Sequence, residues 1–132
     1  MSLEVHSGAC LCGGVHYQVE GPLRPVVVCH CSQCRRQSGH YFAASSVPME
    51  KFRILFDTDL RWYRASESAE RGFCGRCGSA LFWRPLDGSR MSFTPGTLKG
   101  PTGLSIEGHI FCADKGDYYE IPAEGYQRAA WD

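Results

Sequence analysis

The chain has 132 residues, 43% of them hydrophobic, and its 14 basic and 14 acidic side chains balance to a formal net charge of zero. This length predicts one domain over residues 1–132. The balanced charge argues against a nucleic-acid partner, since domains that bind nucleic acid normally carry a basic excess. No apolar run reaches the ~20 residues of a membrane-spanning helix, so we expect no membrane partner. The sequence carries no signal for the oligomeric state.

The eight cysteines are the most unusual feature of the composition. The first residues lack the charged and then apolar layout of a signal peptide, so we expect a reducing compartment, the cytoplasm. Clustered cysteines bind metal in such a compartment more often than they form disulfides. We therefore interpret them as metal ligands, with a disulfide framework as the alternative.

The first predicted strands lie on either side of a glycine–proline break. Val15, Tyr17 and Val19 alternate with polar residues, which is the two-residue period of a strand. After the break, the apolar run 26–28 predicts a buried strand that leads into Cys29.

The one short helix is predicted over residues 32–39, with Ser32 as its N-cap and Gly39 as its end. Short apolar or alternating runs, separated by Gly, Pro and Asp turn signals, follow along the chain. The tail from residue 114 is expected to be irregular. The sequence thus predicts a mainly β fold. The remaining predicted strands are 41–47, 52–56, 60–64, 68–73, 80–84, 91–93 and 106–111.

Two cysteine pairs predict one closed, structural zinc site. Cys74 and Cys77 have the Cys-x-x-Cys spacing of a zinc pair, and the glycines beside them allow a tight turn whose backbone N–H groups point at the sulfurs. Cys10 and Cys12 can supply the other two ligands if the chain bends, and neighbouring glycines permit that bend. Four thiolates are a usual ligand set for structural zinc.

Cys29, Cys31 and Cys34 predict a second zinc site with one coordination position open. Three protein ligands and one exchangeable ligand are usual for catalytic zinc. Cys34 falls in the first turn of the predicted helix, where the helix dipole favours a thiolate. Two alternatives stay open: His40, Cys112 or a carboxylate closes the shell, or the site is only partly occupied.

An open zinc ion among thiolates is suited to binding an incoming thiol, which the metal deprotonates. It is poorly suited to splitting water, because the sulfur donors already reduce its charge. We therefore predict chemistry on a thiol or on the thiol adduct of an aldehyde. Arg35 and Arg36 are candidates for binding a substrate carboxylate. His109, in the strand 106–111, is the candidate acid–base residue, with a structural role as the alternative.

Five motifs together resemble the glutathione-dependent formaldehyde-activating enzyme family, which includes the centromere protein V type domains. The resemblance extends from about residue 8 to about residue 126. The motifs are Cys-x-Cys-Gly-Gly at 10–14, Cys-His-Cys-Ser-x-Cys-Arg-Arg-x-Ser-Gly at 29–39, Phe-Cys-x-x-Cys-Gly-Ser-x-Leu-Phe at 73–82, Gly-Thr-Leu at 96–98 and His-Ile-Phe at 109–111. The chain departs from the family at 115–118, where Lys-Gly-Asp-Tyr replaces a Lys-Ala-Pro-Trp-like run.

The resemblance implies a β-tent fold of folded-over antiparallel sheets with two zinc ions per chain. It implies a carbon–sulfur lyase reaction in which glutathione and formaldehyde form S-hydroxymethylglutathione, and the reverse. It places Arg35 and Arg36 beside the glutathione site. By motif match, the structural zinc belongs to Cys10, Cys12, Cys74 and Cys77, and the catalytic zinc to Cys29, Cys31 and Cys34.

The leading hypothesis is thus a zinc-dependent enzyme that captures a small thiol at the open site. A second hypothesis is a zinc-stabilised β-tent binding module without catalytic activity. A third is a structural domain with one zinc ion and a vestigial second site.

Overall fold

The computed structural model describes residues 4–131. The chain divides into two compact units. The first unit contains the described residues up to Arg24 together with Ser45–Gly103, and the second contains Pro25–Ala44 and the described residues from Leu104 onwards. The prediction of one domain over residues 1–132 stays a prediction.

The described residues are mainly β, as predicted, with one α-helix, α1 (Ser32–Ser38). The seven strand ranges predicted after the helix agree with the structure to within one residue at each end. The strands are β1 (Val5–Ala9), β2 (His16–Glu20), β3 (Val26–Cys29), β4 (Phe42–Pro48), β5 (Phe52–Phe56), β6 (Leu60–Arg64), β7 (Ala69–Cys74), β8 (Ala80–Pro85), β9 (Arg90–Phe93), β10 (Ile106–Ile110) and β11 (Tyr126–Gln127). None of the helices in this part of the chain is long and apolar enough to cross a membrane.

The first unit contains an antiparallel sheet of three strands in the order β1-β2-β5. The predicted alternation along β2 is confirmed, because Val15, Tyr17 and Val19 are all fully buried. Gly8 in β1 lies against the ring of Tyr17, and a Cβ atom at that position would be only 2.3 Å from the ring. The close approach of the two strands therefore requires glycine there.

The second sheet of this unit is antiparallel and places β9, β8, β7 and β6 side by side after the last residues of β4. An aromatic core holds the unit together: Tyr17 packs edge-to-face on Phe82, with ring centroids 5.0 Å apart, and Phe93 lies 5.9 Å from Tyr17. The buried Tyr17 hydroxyl bonds the Thr97 hydroxyl at 2.7 Å, so its polar group is satisfied.

The second unit contains β11, β10, β3 and the first residues of β4, in that order. The β3–β10 and β10–β11 pairings are parallel, whereas the other named pairings of the described strands are antiparallel. The buried faces of β3 and β10 include Val26, Val28, His109 and Ile110. Two histidines are thus buried in this unit, since His30, directly after β3, is buried too.

The helix boundaries correct one sequence prediction. The N-cap of α1 is Cys31, whose Sγ accepts a hydrogen bond from the Cys34 N–H at 3.3 Å. Ser32, predicted as the cap, is the first helical residue, because the sulfur of Cys31 already occupies the capping position. Gly39 ends the helix as predicted: its φ is 81° and its N–H donates to the Arg35 carbonyl at 2.8 Å.

Candidate functional site

Four sulfur atoms meet in the first unit, as the sequence predicted. The sulfurs of Cys10, Cys12, Cys74 and Cys77 lie within 4.8 Å of one another. Cys10 and Cys12 are 3.7 Å apart at sulfur, and Cys12 and Cys74 are 3.6 Å apart. A tetrahedron with metal–sulfur bonds of ~2.3 Å has edges of about 3.8 Å, so the spacing fits a zinc ion. It is far longer than a disulfide bond of ~2.05 Å, and all eight cysteines are free.

Backbone N–H groups point at these sulfurs, as the glycine-rich turns predicted. The N–H groups of Arg76 and Cys77 both donate to the Cys74 sulfur at 3.4 Å. On the other side, the Val15 N–H donates to the Cys10 sulfur at 3.3 Å. Such donors stabilise thiolates, which are the form that binds metal.

Neighbouring groups change the pKa values of two of these thiols in opposite directions. The Ser79 hydroxyl is the main cause that lowers the pKa of Cys77, to about 5. The Gly14 backbone lowers the pKa of Cys12, but desolvation and the neighbouring thiols of Cys74 and Cys10 raise it in sum to about 11. Cys77 is therefore the more readily ionised of these two thiols.

Three more sulfurs meet in the second unit. Cys29 is the last residue of β3, Cys31 caps α1 and Cys34 lies in its first turn. Their sulfurs lie within 4.8 Å of one another, and among residues 4–131 no His, Cys, Asp or Glu joins them as a fourth member. His40 and Cys112, the alternatives considered as fourth ligands, are therefore outside this group. The zinc-ligand role of the three cysteines stays a prediction.

The thiols of Cys29 and Cys31 shift each other's pKa in opposite directions. Hydrogen bonds from the thiols of Cys29 and Cys34 lower the pKa of Cys31 strongly. The same contacts with Cys31 and Cys34, together with burial, raise the pKa of Cys29 far above its ordinary value. One thiolate is stabilised by two thiols, and three thiolates would need a divalent cation between them. The donor set therefore fits a soft metal ion such as zinc.

His30, which lies between two of these cysteines, is part of a buried hydrogen-bonded network. Its Nε2 is 2.9 Å from Nδ1 of His109, and its Nδ1 is 2.6 Å from the Tyr119 hydroxyl. His30 is 1% exposed and His109 is 4% exposed. The predicted acid–base residue, His109, thus hydrogen-bonds the residue that lies between Cys29 and Cys31 in the sequence.

Burial keeps this network neutral near pH 7. It lowers the pKa of His30 to about 4, helped by the charges of His109, His40 and Lys115. Burial also lowers the pKa of His109 and raises the pKa of Tyr119. No sequence pattern predicted a role for His30 or Tyr119. The only signals were the position of His30 between two cysteines and the aromatic pair at 118–119.

Aromatic rings and a lysine surround Tyr119. Its ring centroid lies 4.8 Å from that of Tyr118, 5.1 Å from His40 and 5.8 Å from Tyr41, each in an edge-to-face arrangement. The Lys115 ammonium donates to the Tyr119 carbonyl at 2.7 Å and so fixes the backbone there. The exposed Tyr118 turns its own hydroxyl to Nδ1 of His40, at 2.5 Å.

Arg35 and Arg36, which were predicted together as residues that bind a substrate carboxylate, differ in exposure. Arg36 is exposed, whereas Arg35 is half-buried and its Nε is a buried donor with no hydrogen-bond partner among the described residues. The positive charge of Arg35 is one of the influences that lower the pKa of Tyr119 against the larger effect of burial. A buried unpaired donor is costly, so Arg35 is the better candidate for an anionic partner.

Comparisons with known proteins agree with the fold and the motifs. Residues 5–114 match the family model of the glutathione-dependent formaldehyde-activating enzyme. An uncharacterized lyase of Schizosaccharomyces pombe is 30% identical over 119 residues, which are 88% of this chain and 85% of that protein. A Halomonas elongata protein, provisionally named a glutathione-dependent formaldehyde-activating enzyme, is 28% identical over 134 residues, covering 92% of this chain and 83% of that protein.

One solved structure supports the fold alone. The crystal structure of a Rhodobacter sphaeroides protein matches with a TM-score of 0.60 at 23% sequence identity. The match covers 76% of this chain and 97% of that one.

Proposed function

The chain belongs to the glutathione-dependent formaldehyde-activating enzyme family, and on that premise we propose that it is a zinc-dependent carbon–sulfur lyase. Its substrate would be glutathione, or a similar small thiol, together with formaldehyde or a related adduct. The observation that carries the proposal is the group of three sulfurs, Cys29, Cys31 and Cys34, which no fourth His, Cys, Asp or Glu of the described residues completes. A metal site with three protein ligands keeps a position for an exchangeable one.

These three cysteines would hold the catalytic zinc, and Cys10, Cys12, Cys74 and Cys77 the structural one. When bound at the first of these sites, zinc supplies positive charge that lowers the pKa of a nearby thiol. The protein contributes the geometry: Cys29 is fixed by β3, and Cys34 by the helix that Cys31 caps. The reducing cytoplasm suits both the free cysteines and a thiol substrate.

Arg35 would orient the substrate. Glutathione carries two carboxylates, and guanidinium–carboxylate hydrogen bonds are among the strong, directional contacts of proteins. The buried and unpaired Nε of Arg35 supports this role, and Arg35 directly follows Cys34 in the helix. Arg36 is exposed and would contribute only long-range attraction.

The reaction itself is an addition. The substrate S–H bond breaks, sulfur bonds to the carbonyl carbon, and the carbonyl oxygen gains a proton to become a hydroxyl; the reverse reaction cleaves the same carbon–sulfur bond. A proton must therefore leave sulfur and arrive at oxygen within one site. His109, which hydrogen-bonds His30, is the predicted acid–base residue. A positioned proton donor or acceptor typically contributes ~10²–10⁴-fold to the rate of a reaction.

The test is to measure exchange between formaldehyde, glutathione and S-hydroxymethylglutathione by NMR, with and without the protein. We expect acceleration above the spontaneous rate, two zinc ions per chain, and loss of both the acceleration and one zinc ion in Cys34→Ala. A fully zinc-loaded protein that accelerates neither this reaction nor that of other small thiols would overturn the proposal and favour the binding module.

A further inference from the structure

Ser79 contacts both halves of the four-cysteine cluster in the first unit. Its hydroxyl oxygen accepts a hydrogen bond from the Leu11 N–H at 3.1 Å, although the two residues are 68 positions apart in the sequence. Leu11 is the residue between Cys10 and Cys12. The same oxygen lies 3.2 Å from the sulfur of Cys77. One hydroxyl group therefore reaches the segment that carries the first pair of cysteines and a sulfur of the second pair.

The backbone holds Ser79 at this position. Its carbonyl accepts from the Cys74 N–H at 3.0 Å, and the Gly78 N–H donates to the Cys74 carbonyl at 2.8 Å. Ser79 is thus fixed to the turn that carries the second pair of cysteines. Leu11, in contrast, is 89% exposed, so packing of its side chain does not hold the first pair. The bond from the Leu11 N–H to Ser79 therefore holds the first pair directly to the second.

The Ser79 hydroxyl can make both contacts at once, because a hydroxyl has one hydrogen and two lone pairs. The Leu11 amide can only donate, so it occupies a lone pair of the Ser79 oxygen. A cysteine that binds metal is a thiolate, which can only accept. The hydrogen of Ser79 is then donated to the sulfur of Cys77, and neither contact excludes the other.

We propose that Ser79 is a positioning residue of the four-cysteine cluster, because it holds the segment between Cys10 and Cys12 in place and donates a hydrogen bond to the sulfur of Cys77. This inference rests on the part of the proposed function that assigns the structural zinc to these cysteines, and it does not depend on lyase activity. Residues that orient metal ligands from outside the ligand set typically contribute ~10–100-fold to metal affinity.

The fold offers a reason why Ser79→Ala should still fold. Asp59 also contacts both turns: its carbonyl accepts from the Gly75 N–H at 2.7 Å. Its carboxylate packs against Gly14, where an added Cβ would lie 2.1 Å from a carboxylate oxygen. The bond from Leu11 to Ser79 is exposed, so water can replace the lost acceptor. The effect of the variant should therefore appear at the metal site and not in the fold.

The first test uses cadmium, a soft cation that thiolates bind, as the probe. ¹¹³Cd NMR gives a separate signal for each bound ion, and Cys34→Ala identifies the signal of the three-cysteine cluster by removing it. We expect Ser79→Ala to shift the signal of the four-cysteine cluster and to leave the other in place. Ser79→Thr keeps the hydroxyl and should restore the wild-type position. An unmoved signal in Ser79→Ala would overturn the inference.

The second test measures zinc affinity by competition with a chelator, with Ser66→Ala as the matched control. The Ser66 hydroxyl also accepts a backbone N–H, that of Ser68 at 3.2 Å, and contacts a side chain, the Ser68 hydroxyl at 3.4 Å. We expect Ser79→Ala to lower the affinity of the four-cysteine cluster by about 10-fold. Ser66→Ala, at an exposed position, should stay within about threefold of the wild type. Equal losses in both variants would contradict the role of Ser79.

A third measurement needs no variant. The bond to Ser79 should slow hydrogen exchange of the Leu11 amide in the wild-type protein, despite the exposure of this residue. Exchange at the rate of an unstructured peptide would overturn the inference. The outcomes also separate the two proposals. If the protein binds zinc as expected but lacks lyase activity, only the proposed reaction fails. If the protein is active but its metal site does not respond to Ser79→Ala, only the inference about Ser79 fails.

Discussion

The two cysteine clusters offer the same donor atom but differ in the distance along the chain between their members. Cys12 and Cys74, whose sulfurs touch, are 62 residues apart, so a shared ion would close a long loop in the first unit. Cys29, Cys31 and Cys34 lie within six consecutive residues, and an ion there would close almost none. A cross-link across a long loop removes more entropy from the unfolded chain. The four-cysteine cluster is therefore suited to holding the fold, and the three-cysteine cluster to chemistry.

The chemical groups around the two cysteine clusters also differ. The sulfurs of the first cluster accept hydrogen bonds from backbone N–H groups, and Ser79 is the side chain that contacts Cys77. In the second unit, His30 lies between Cys29 and Cys31 in the sequence and hydrogen-bonds His109 and the Tyr119 hydroxyl, and Arg35 has a buried donor without a partner. Backbone donors stabilise thiolates without changing charge, whereas imidazole and phenol groups can move protons.

The largest expected effect is on folding, and it distinguishes the four-cysteine cluster from the three-cysteine cluster. We expect Cys77→Ala to unfold the first unit, because a structural zinc site contributes roughly 10–16 kcal/mol in zinc-finger peptides, as much as the whole stability of many domains. Cys34→Ala is the matched control and should remain folded with one zinc ion. Dispersion of the amide NMR signals and zinc analysis measure both. A Cys77→Ala protein that stays folded with two zinc ions would remove the distinction between the clusters.

An intermediate effect is expected at the two neighbouring arginines. Arg35→Ala should raise KM for the thiol substrate by about 10–100-fold, since a hydrogen bond to a charged group contributes about 1.5–3 kcal/mol. Arg36→Ala, at an exposed position, should change KM by less than about threefold. Steady-state kinetics at moderate salt distinguish them. Equal effects of both substitutions would indicate general charge attraction instead of a specific carboxylate contact.

The smallest expected effect concerns pH and the buried His109. Burial lowers its pKa in the folded state, so below its ordinary value of about 6.5 the unfolded chain binds a proton that the folded chain resists. Stability from this group is complete above pH ~6.5 and is lost as the pH falls below it. His109→Asn should therefore lose less stability than the wild type between pH 7.5 and 5.5, measured as urea midpoints. A parallel pH dependence of the two proteins would contradict this.

Local patterns predicted most of the strands but not their partners. Alternation along β2 and the runs at β5 and β6 predicted those strands to the residue or nearly so, because the less exposed side chains recur at every second position at the start of each strand. β1, with the sequence Val-His-Ser-Gly-Ala, was missed, since its Val5 is 49% exposed and its role is to bring Gly8 against Tyr17. The parallel pairing of β3 with β10 joins segments that are distant in sequence, and no short-range pattern records it.

The candidate site shows the same difference between local features, which the sequence predicted, and long-range contacts, which it did not. Cysteine spacing identified the pairs Cys10/Cys12 and Cys74/Cys77 and the triplet within 29–34, because spacing inside each of them is a local property, whereas the two pairs meet across 62 residues. The bonds of His30 to His109 and Tyr119 span 79 and 89 residues, so they depend on the parallel pairing that the sequence did not predict. Ser32 failed as the predicted cap because the residue before it, Cys31, offers a sulfur acceptor to the same helix end.

That cap has a practical consequence. Seven residues are too few for an α-helix to persist in water without outside support, so α1 depends on the sulfur that begins it. Removing the sulfur itself, as in Cys31→Ala, would release the start of the helix and with it the position of Arg35, four residues further on. A loss of function at Arg35 in that variant would come from the helix, because the arginine itself is chemically intact.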